Sequence, residues 1–164
     1  MTLKTVIVTL SGGGYENEAI MLLRGLGDRF DYVYVTSTDA AWRPATVPID
    51  GRTHILPAII RKMEPSKIKA MGNFLYGTAK AAKIVLLERP HAIIGVASPI
   101  CLPLFIWGRL IGSKCIFVES ITRTEKLSLT GRLAARFFLV HRIYVQWADL
   151  TACHPKAVYG GTVL

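Results

Sequence analysis

Cysteine, acid and long apolar runs are all scarce in this chain. Its three cysteines, Cys101, Cys115 and Cys153, are odd in number, widely spaced and unaccompanied by a CxxC or HExxH pattern. That excludes a disulfide scaffold and a sequence-encoded zinc site, so no metal is expected and the thiols read as buried and free. No uninterrupted apolar run reaches the ~18–20 residues of a membrane-spanning helix. The nearest, "CLPLFIWGRLIGSKCIFV", is interrupted by Arg109, Lys114, Gly108 and Gly112 and reads as a helix followed by a strand. A strand-like segment begins almost at the first residue, without a signal-peptide layout. The expectation is a cytoplasmic protein that touches a membrane peripherally.

Eleven acidic side chains stand against twenty Lys and Arg, a net charge of +9. Residues 1–60 hold five basic and six acidic groups, residues 61–89 hold seven against two, and residues 90–164 hold eight against three. The positive excess therefore belongs to the middle and the C-terminal half. Its counterpart is an anionic lipid surface, a diphosphate ligand or nucleic acid. Nucleic acid is the weakest of these, because no helix-turn-helix, RNP strand or aromatic interleaving is present.

The 164 residues suffice for one domain, 1–164, and show no repeat or linker. Segments rich in β-branched residues recur as "TVIVTL", "YVYVTS", "THILP", "AIIGVAS", "KCIFVES" and "RIYVQWA". Stretches of helical period lie between most of them, near 15–29, 66–88, 99–112 and 127–140. Strands apolar on both faces and alternating with helices predict an α/β fold, a Rossmann-like doubly wound parallel sheet. Ligands of such sheets sit beyond the carboxyl ends of the strands, which singles out the loops after "TVIVTL" and "KCIFVE".

The first loop is "SGGGYENEA". Gly12, Gly13 and Gly14 allow positive φ and close backbone approach, and the following helix aims its N-terminal N–H groups at the loop. Ser11, the three glycines and Tyr15 are candidates to hold a diphosphate or a sugar hydroxyl. The dinucleotide fingerprint is not met, because Asn17 occupies its last position, and the P-loop lysine is missing. Glu16 and Glu18 suit the first turn of a helix. The second loop belongs to "KCIFVESITRTEKLSLTGRLAARFFLVHRIYVQWADL". Glu119 ends a buried strand, where a carboxylate is costly unless it bonds something. Thr122 and Glu125 have capping-box spacing, and Ser128 and Thr130 are also placed to cap a helix. Ser120 follows Glu119, and Arg123, Lys126 and Arg132 put positive charge beside the crevice, suited to an anionic ligand bearing hydroxyls. A structural ion pair of Glu119 with Arg123 is the competing reading.

In the segment 60–88, Ile68, Met71, Leu75, Ala79, Ala82 and Leu86 share one helical stripe. Lys69, Lys80 and Lys83 flank it with Tyr76 among them, and Arg61 and Lys62 precede it. Lysines beside an apolar stripe and an aromatic ring suit an anionic bilayer surface; a solvated lysine face on an ordinary packed helix competes.

The series "FVESITRTEKLSLTGRL", "YVQW" and "PKAVYGGTVL" resembles the acceptor-side subunits of split GT-B glycosyltransferases. These include the membrane-anchoring subunit of the dolichol-diphosphate N-acetylglucosaminyltransferase and bacterial exopolysaccharide proteins of the PssD/CpsF type; single-chain MurG-like enzymes are more distant. The resemblance spans essentially the whole chain. It implies the N-terminal half of a GT-B fold and a heterodimeric hexosyltransferase whose small second subunit supplies most of the UDP-sugar site. The acceptor would be a polyprenyl-diphosphate-linked saccharide at the cytoplasmic face of the inner membrane, with no cofactor. The C-terminal segment, Tyr159, Gly160, Gly161, Val163 and Leu164, would dock on the partner. The glycine loop of these proteins usually reads G-G-H, whereas Tyr15 occupies the histidine position here, and a phenol with pKa near ~10 is a poor base. Glu18, Glu16 and Glu119 are therefore the candidate catalytic carboxylates. Two rivals are a non-catalytic scaffold that recruits a competent partner and an autonomous nucleotide-binding Rossmann protein.

Overall fold

The computed structural model describes residues 3–38, 40, 47–58 and 67–163, with backbone alone at 67–70 and 153. Strand β1 (Thr5–Leu10) leads into helix α1 (Gly14–Leu26), followed by β2 (Asp31–Ser37), β3 (Gly51–Leu56), α2 (Lys67–Glu88), β4 (Ala92–Val96), α3 (Cys101–Leu110), β5 (Lys114–Val118), α4 (Leu129–Arg136), β6 (Arg142–Val145), a 3₁₀ turn (Ala148–Cys153) and β7 (Ala157–Tyr159). All seven strands are parallel and lie in the order β3-β2-β1-β4-β5-β6-β7. The chain thus winds outward from β1 to one edge and then from β4 to the other, as the alternating pattern predicts. Strand β7 was not anticipated: three residues are too short to carry an alternation signal.

The two sides of each strand feed separate cores. Ile7, Val33, Val35, Ile93, Phe117 and Ile143 face α2, α3 and α4. Val6, Val8, Tyr32, Tyr34, Ile94 and Val118 face α1. Helix α3 presses hard on the sheet because glycine supplies the space: a Cβ on Gly95 of β4 would lie 2.5 Å from Cys101 Cβ and 2.7 Å from Phe105 Cζ. Cys101 and Cys115 are free and fully buried, and burial drives both thiols up, that of Cys115 to about 12.

The helices are shorter than their periodic patterns. Gly27, at φ +66°, ends α1, and its N–H reaches the Leu23 carbonyl. Ser128 caps α4, its Oγ accepting from the Gly131 amide at 3.0 Å. Thr122 and Glu125, despite their spacing, start no helix; residues 121–126 form turns. Among the α2 residues whose side chains are described, the buried positions are Gly77, Ala81, Ile84 and Val85, and the Trp107 indole of α3 donates to the Thr78 carbonyl. The stripe of Met71, Leu75 and Leu86 consequently faces solvent.

The tightness of the α3–β4 contact sets a first expectation. Gly95→Ala drives a methyl group into Cys101 and Phe105 and should cost about 2–3 kcal/mol as overpacking. The thermal midpoint followed by circular dichroism should fall by about 4–12 °C.

Candidate functional site

The sheet opens where its winding reverses, between β1 and β4. Their ladder pairs only Val6, Ile7 and Val8 with Ala92, Ile93 and Ile94. Beyond it the Thr9 hydroxyl accepts from the Val96 amide at 3.1 Å, and the two chains then part toward opposite faces. A crevice at this switch point follows from topology alone.

Its walls come from three loops. After β1, Gly12 and Gly13 hold φ of +71° and +66°, so the turn requires residues without a Cβ penalty. At Gly12 space is limited as well, since a Cβ would lie 3.2 Å from that of Ala40. Gly14 starts α1, which no side chain caps. After β4, Ala97 sits at φ +47°, an uncommon conformation for a residue with a side chain. The third wall is the segment from β5 to α4. Together they enclose a cleft of about 430 Å³. Ser11, Gly12 and Tyr15 line it from the first loop, Ala97, Ser98, Pro99 and Ile100 from the second, and Arg123, Ser128, Leu129 and Thr130 from the third, with Ser37 and Ala58 completing it. Among the described residues, six hydroxyl side chains and one guanidinium face this space and no carboxylate lines it, a composition suited to a hydroxylated anion. The Ser11 Oγ is buried with no hydrogen-bond partner among the described residues.

The carboxylates lie behind these walls. Glu18, 6% exposed, accepts from Ser120 Oγ at 2.7 Å on one oxygen and from the Ile121 amide at 3.2 Å and Gln146 Nε2 at 2.7 Å on the other. Glu119 is fully buried and accepts from the Ser120 amide at 3.1 Å and the Ser128 amide at 2.8 Å. Burial pushes its pKa up, opposed by those two amides. A Cβ on Gly131 would lie 2.7 Å from a Glu119 oxygen, which explains the glycine in "SLTGRL". Glu16 is buried and abuts the cleft at the first loop, its Oε2 lying 3.8 Å from where a Cβ on Gly12 would stand.

Of the residues expected at a ligand, Ser11, Gly12, Tyr15 and Arg123 line the cleft, and Gly13 and Gly14 form the turn beside it. Ser120 does not; its hydroxyl is spent on Glu18. Glu119 bonds backbone amides, and no ion pair joins it to Arg123 among the described residues. On α2, Tyr76, Lys80 and Lys83 are exposed, with Lys80 Nζ 5.3 Å from the Tyr76 ring centre. Arg61, Lys62 and the Lys69 side chain lie outside the described residues, as does Leu164. Tyr159 ends β7 exposed, and Gly160, Gly161 and Val163 border an apolar groove of about 340 Å³ beside Leu22, Leu26, Ile116 and Tyr144. Sequence reasoning missed Ser37, Ala58, Ser98 and Gln146. The first three are small residues without a motif; Gln146 was visible only inside "YVQW".

A parallel Rossmann-like sheet with a hydroxyl-lined cleft at its switch point is one half of a MurG-like GT-B architecture. The solved structures agree: Acinetobacter baumannii MurG superimposes with a TM-score of 0.76 at 14% identity, over 98% of this chain and 46% of that one. A Rickettsia bellii UDP-N-acetylglucosamine 2-epimerase gives 0.66 at 10% identity. The chain thus spans about half the length of these structural neighbours. Residues 6–163 match the family described as "Oligosaccharide biosynthesis protein Alg14 like", and the chain belongs to it. Similar proteins include the UDP-N-acetylglucosamine transferase subunit ALG14 of Mus musculus, 31% identical over 182 residues, and that of Yarrowia lipolytica, 29% identical over 176. The alignments take in 97% of this chain in both cases, and 82% and 81% of the relatives.

Two expectations follow from the buried acids. In Glu18→Gln the new NH₂ can face the Ser120 hydroxyl while the remaining oxygen keeps both other donors, so stability should stay within about 1 kcal/mol. Glu18→Ala orphans those donors and should cost about 3 kcal/mol or more in urea denaturation. Glu119 binds its proton more tightly folded than unfolded. Its stabilising contribution is therefore complete below the unfolded value of about 4.3 and is lost as pH rises through the folded one. The stability of wild type relative to Glu119→Gln should accordingly decline between mildly acidic and neutral pH.

Proposed function

We propose that this chain is the membrane-associated, acceptor-side subunit of a two-component GT-B glycosyltransferase. The complex moves a sugar from a UDP-sugar, UDP-N-acetylglucosamine being favoured by the names of the relatives, to a polyprenyl-diphosphate-linked saccharide. The observation that carries this reading is the switch-point cleft, with its hydroxyls, Arg123 and glycine turn, in a chain that spans one half of a GT-B protein. Arg123 and the α1 N-terminus hold the acceptor diphosphate. The acceptor hydroxyl attacks the anomeric carbon, the bond to UDP breaks, and the leaving diphosphate takes the electron pair. The hydroxyl proton passes to a carboxylate. Glu16, beside Gly12, has this role, whereas Glu18 and Glu119 hold the cleft in shape.

Helix α2 rests on the bilayer. Met71 and Leu75 are 60% and 61% exposed, and Tyr76, Leu86 and Leu87 are exposed on the same side as Lys80 and Lys83. No described helix is long and apolar enough to cross a membrane, and an apolar stripe with flanking lysines suits in-plane contact with anionic lipid. The cytoplasmic face and an exopolysaccharide product are part of the same proposal. A small donor-binding subunit completes the enzyme through the 159–164 segment.

The scaffold reading has one observation in its favour, since no carboxylate lines the cleft among the described residues. Transfer assayed in membranes from cells co-expressing this chain and the donor-binding subunit separates the two. The proposal expects Glu16→Gln to lower kcat by about 10²-fold or more, and Arg123→Ala to raise the acceptor KM with complex formation intact. Transfer that persists when this chain is deleted would sink the proposal, and unchanged kinetics in both variants would leave the scaffold. Lys80→Glu with Lys83→Glu should weaken sedimentation with phosphatidylglycerol vesicles and leave binding to neutral ones unchanged.

A further inference from the structure

One side chain joins two surfaces to which the functional reading assigns separate tasks. Gln146, 2% exposed at the end of β6, uses its whole amide. Its Oε1 accepts from the Val163 amide of the C-terminal segment at 2.8 Å. Its Nε2 donates to Glu18 Oε2 at 2.7 Å and to the Glu119 carbonyl at 3.0 Å. The same Glu18 carboxylate holds the Ser120 hydroxyl and the Ile121 amide, and the Ser120 carbonyl accepts from the Arg123 amide at 3.0 Å. From Val163 to the cleft-lining Arg123 there is thus an unbroken chain of hydrogen bonds, most of it out of contact with water. Trp147 clamps the same loop from its other side, its indole donating to the Ile121 carbonyl at 2.6 Å.

A glutamine amide is fixed in orientation once its ends bond groups of opposite polarity. Here the oxygen must face the segment and the nitrogen the acids, because a flip would set NH₂ against the Val163 N–H and oxygen against the Glu18 carboxylate. Gln146 therefore cannot follow the segment without altering its grip on Glu18. The segment meets the sheet through two amides, that of Gly160 on the Val145 carbonyl at 3.2 Å and that of Val163 on Gln146, and between them Gly160 and Gly161 border the apolar groove.

We propose that Gln146 is a positioning residue that couples the placement of residues 160–163 to the 120–123 loop, and through it to Arg123 at the cleft. Resting on the two-subunit reading, this makes capture of the segment by the partner a means of setting the acceptor site, so that the cleft takes its working shape in the assembled enzyme.

Two substitutions cut the relay at different points. Gln146→Met keeps the approximate volume and removes the amide; Val163→Pro removes the one N–H that Gln146 Oε1 accepts, while fixing φ at 163 and restricting Thr162 within the same segment. Hydrogen exchange of the full chain, read at the Ile121 and Thr122 amides, should accelerate about tenfold in Val163→Pro, the effect of losing one net hydrogen bond, and at least as much in Gln146→Met, which loses all three bonds of the amide. The double variant should show no more than the larger single effect, and amides of β2 should be unmoved. Protection at Ile121 unchanged in Val163→Pro, or effects that multiply in the double variant, would overturn the coupling; Val163→Pro alone decides if Gln146→Met fails to fold. In the assembled transferase both variants should raise the acceptor KM and leave the donor KM as it was, whereas a loss that merely tracks the folded fraction would count against positioning. Coupled exchange in a chain that supports no sugar transfer would sustain the relay and remove the functional reading beneath it.

Discussion

The cleft depends on one buried carboxylate. Glu18 projects from α1, yet its three partners belong to the loop after β5 and to the end of β6. Helix α1 packs on one face of the sheet, and the chain after β5 returns to the other face through α4. Glu18 is the polar link at the top of the sheet between these parts. A carboxyl group buried this deeply is tolerated because both oxygens are satisfied by donors from the 120–121 loop and from Gln146. Glu119 repeats the arrangement one strand end away, tying the two ends of the 120–128 segment through the Ser120 and Ser128 amides. The motif series behind the family resemblance is thereby explained: "ES", "SLTGR" and "QW" form one hydrogen-bond network around these two acids.

That network separates the residues that shape the site from those that meet the ligand. Among the described residues, hydroxyl side chains, glycine and a single arginine face the cleft, Glu16 abuts it at the glycine turn, and Glu18 and Glu119 stay behind it. Such a division suits a diphosphate, which an ionised carboxylate on the wall would repel. It also gives a physical reason for positive charge being concentrated after residue 60: Arg123 serves the cleft, and Lys80 and Lys83 lie on the exposed face of α2. The proposed function makes the outward stripe of α2 the surface that meets lipid.

Much of the architecture was legible in the sequence because the inner strands of a parallel sheet, covered on both faces, need nearly continuous apolar, β-branched runs; the edge strand β3, mostly exposed, showed more faintly in "THILP". Strand β7 has three residues and escaped. The orientation of α2 was ambiguous, because a stripe of Met71, Leu75 and Leu86 reads equally as core or as surface until Gly77, Ala81, Ile84 and Val85 are seen against the sheet. Within the site the glycine turn was legible from its punctuation and Arg123 from its place after a buried strand. Ser37, Ala58 and Ser98 were not, since topology alone brings these small residues together. Carboxylates near a crevice suggest chemistry, and for Glu18 and Glu119 that suggestion met a saturated set of donors that no spacing rule discloses.

The central claim is that this chain receives the lipid diphosphate in its switch-point cleft. Photo-crosslinking of a polyprenyl-diphosphate acceptor analogue to the membrane-bound complex, mapped by peptide mass spectrometry, tests it most directly. Adducts should fall in residues 11–15, 97–100 and 123–130 and be competed by unlabelled acceptor. Competable adducts confined to the donor-binding subunit would contradict it.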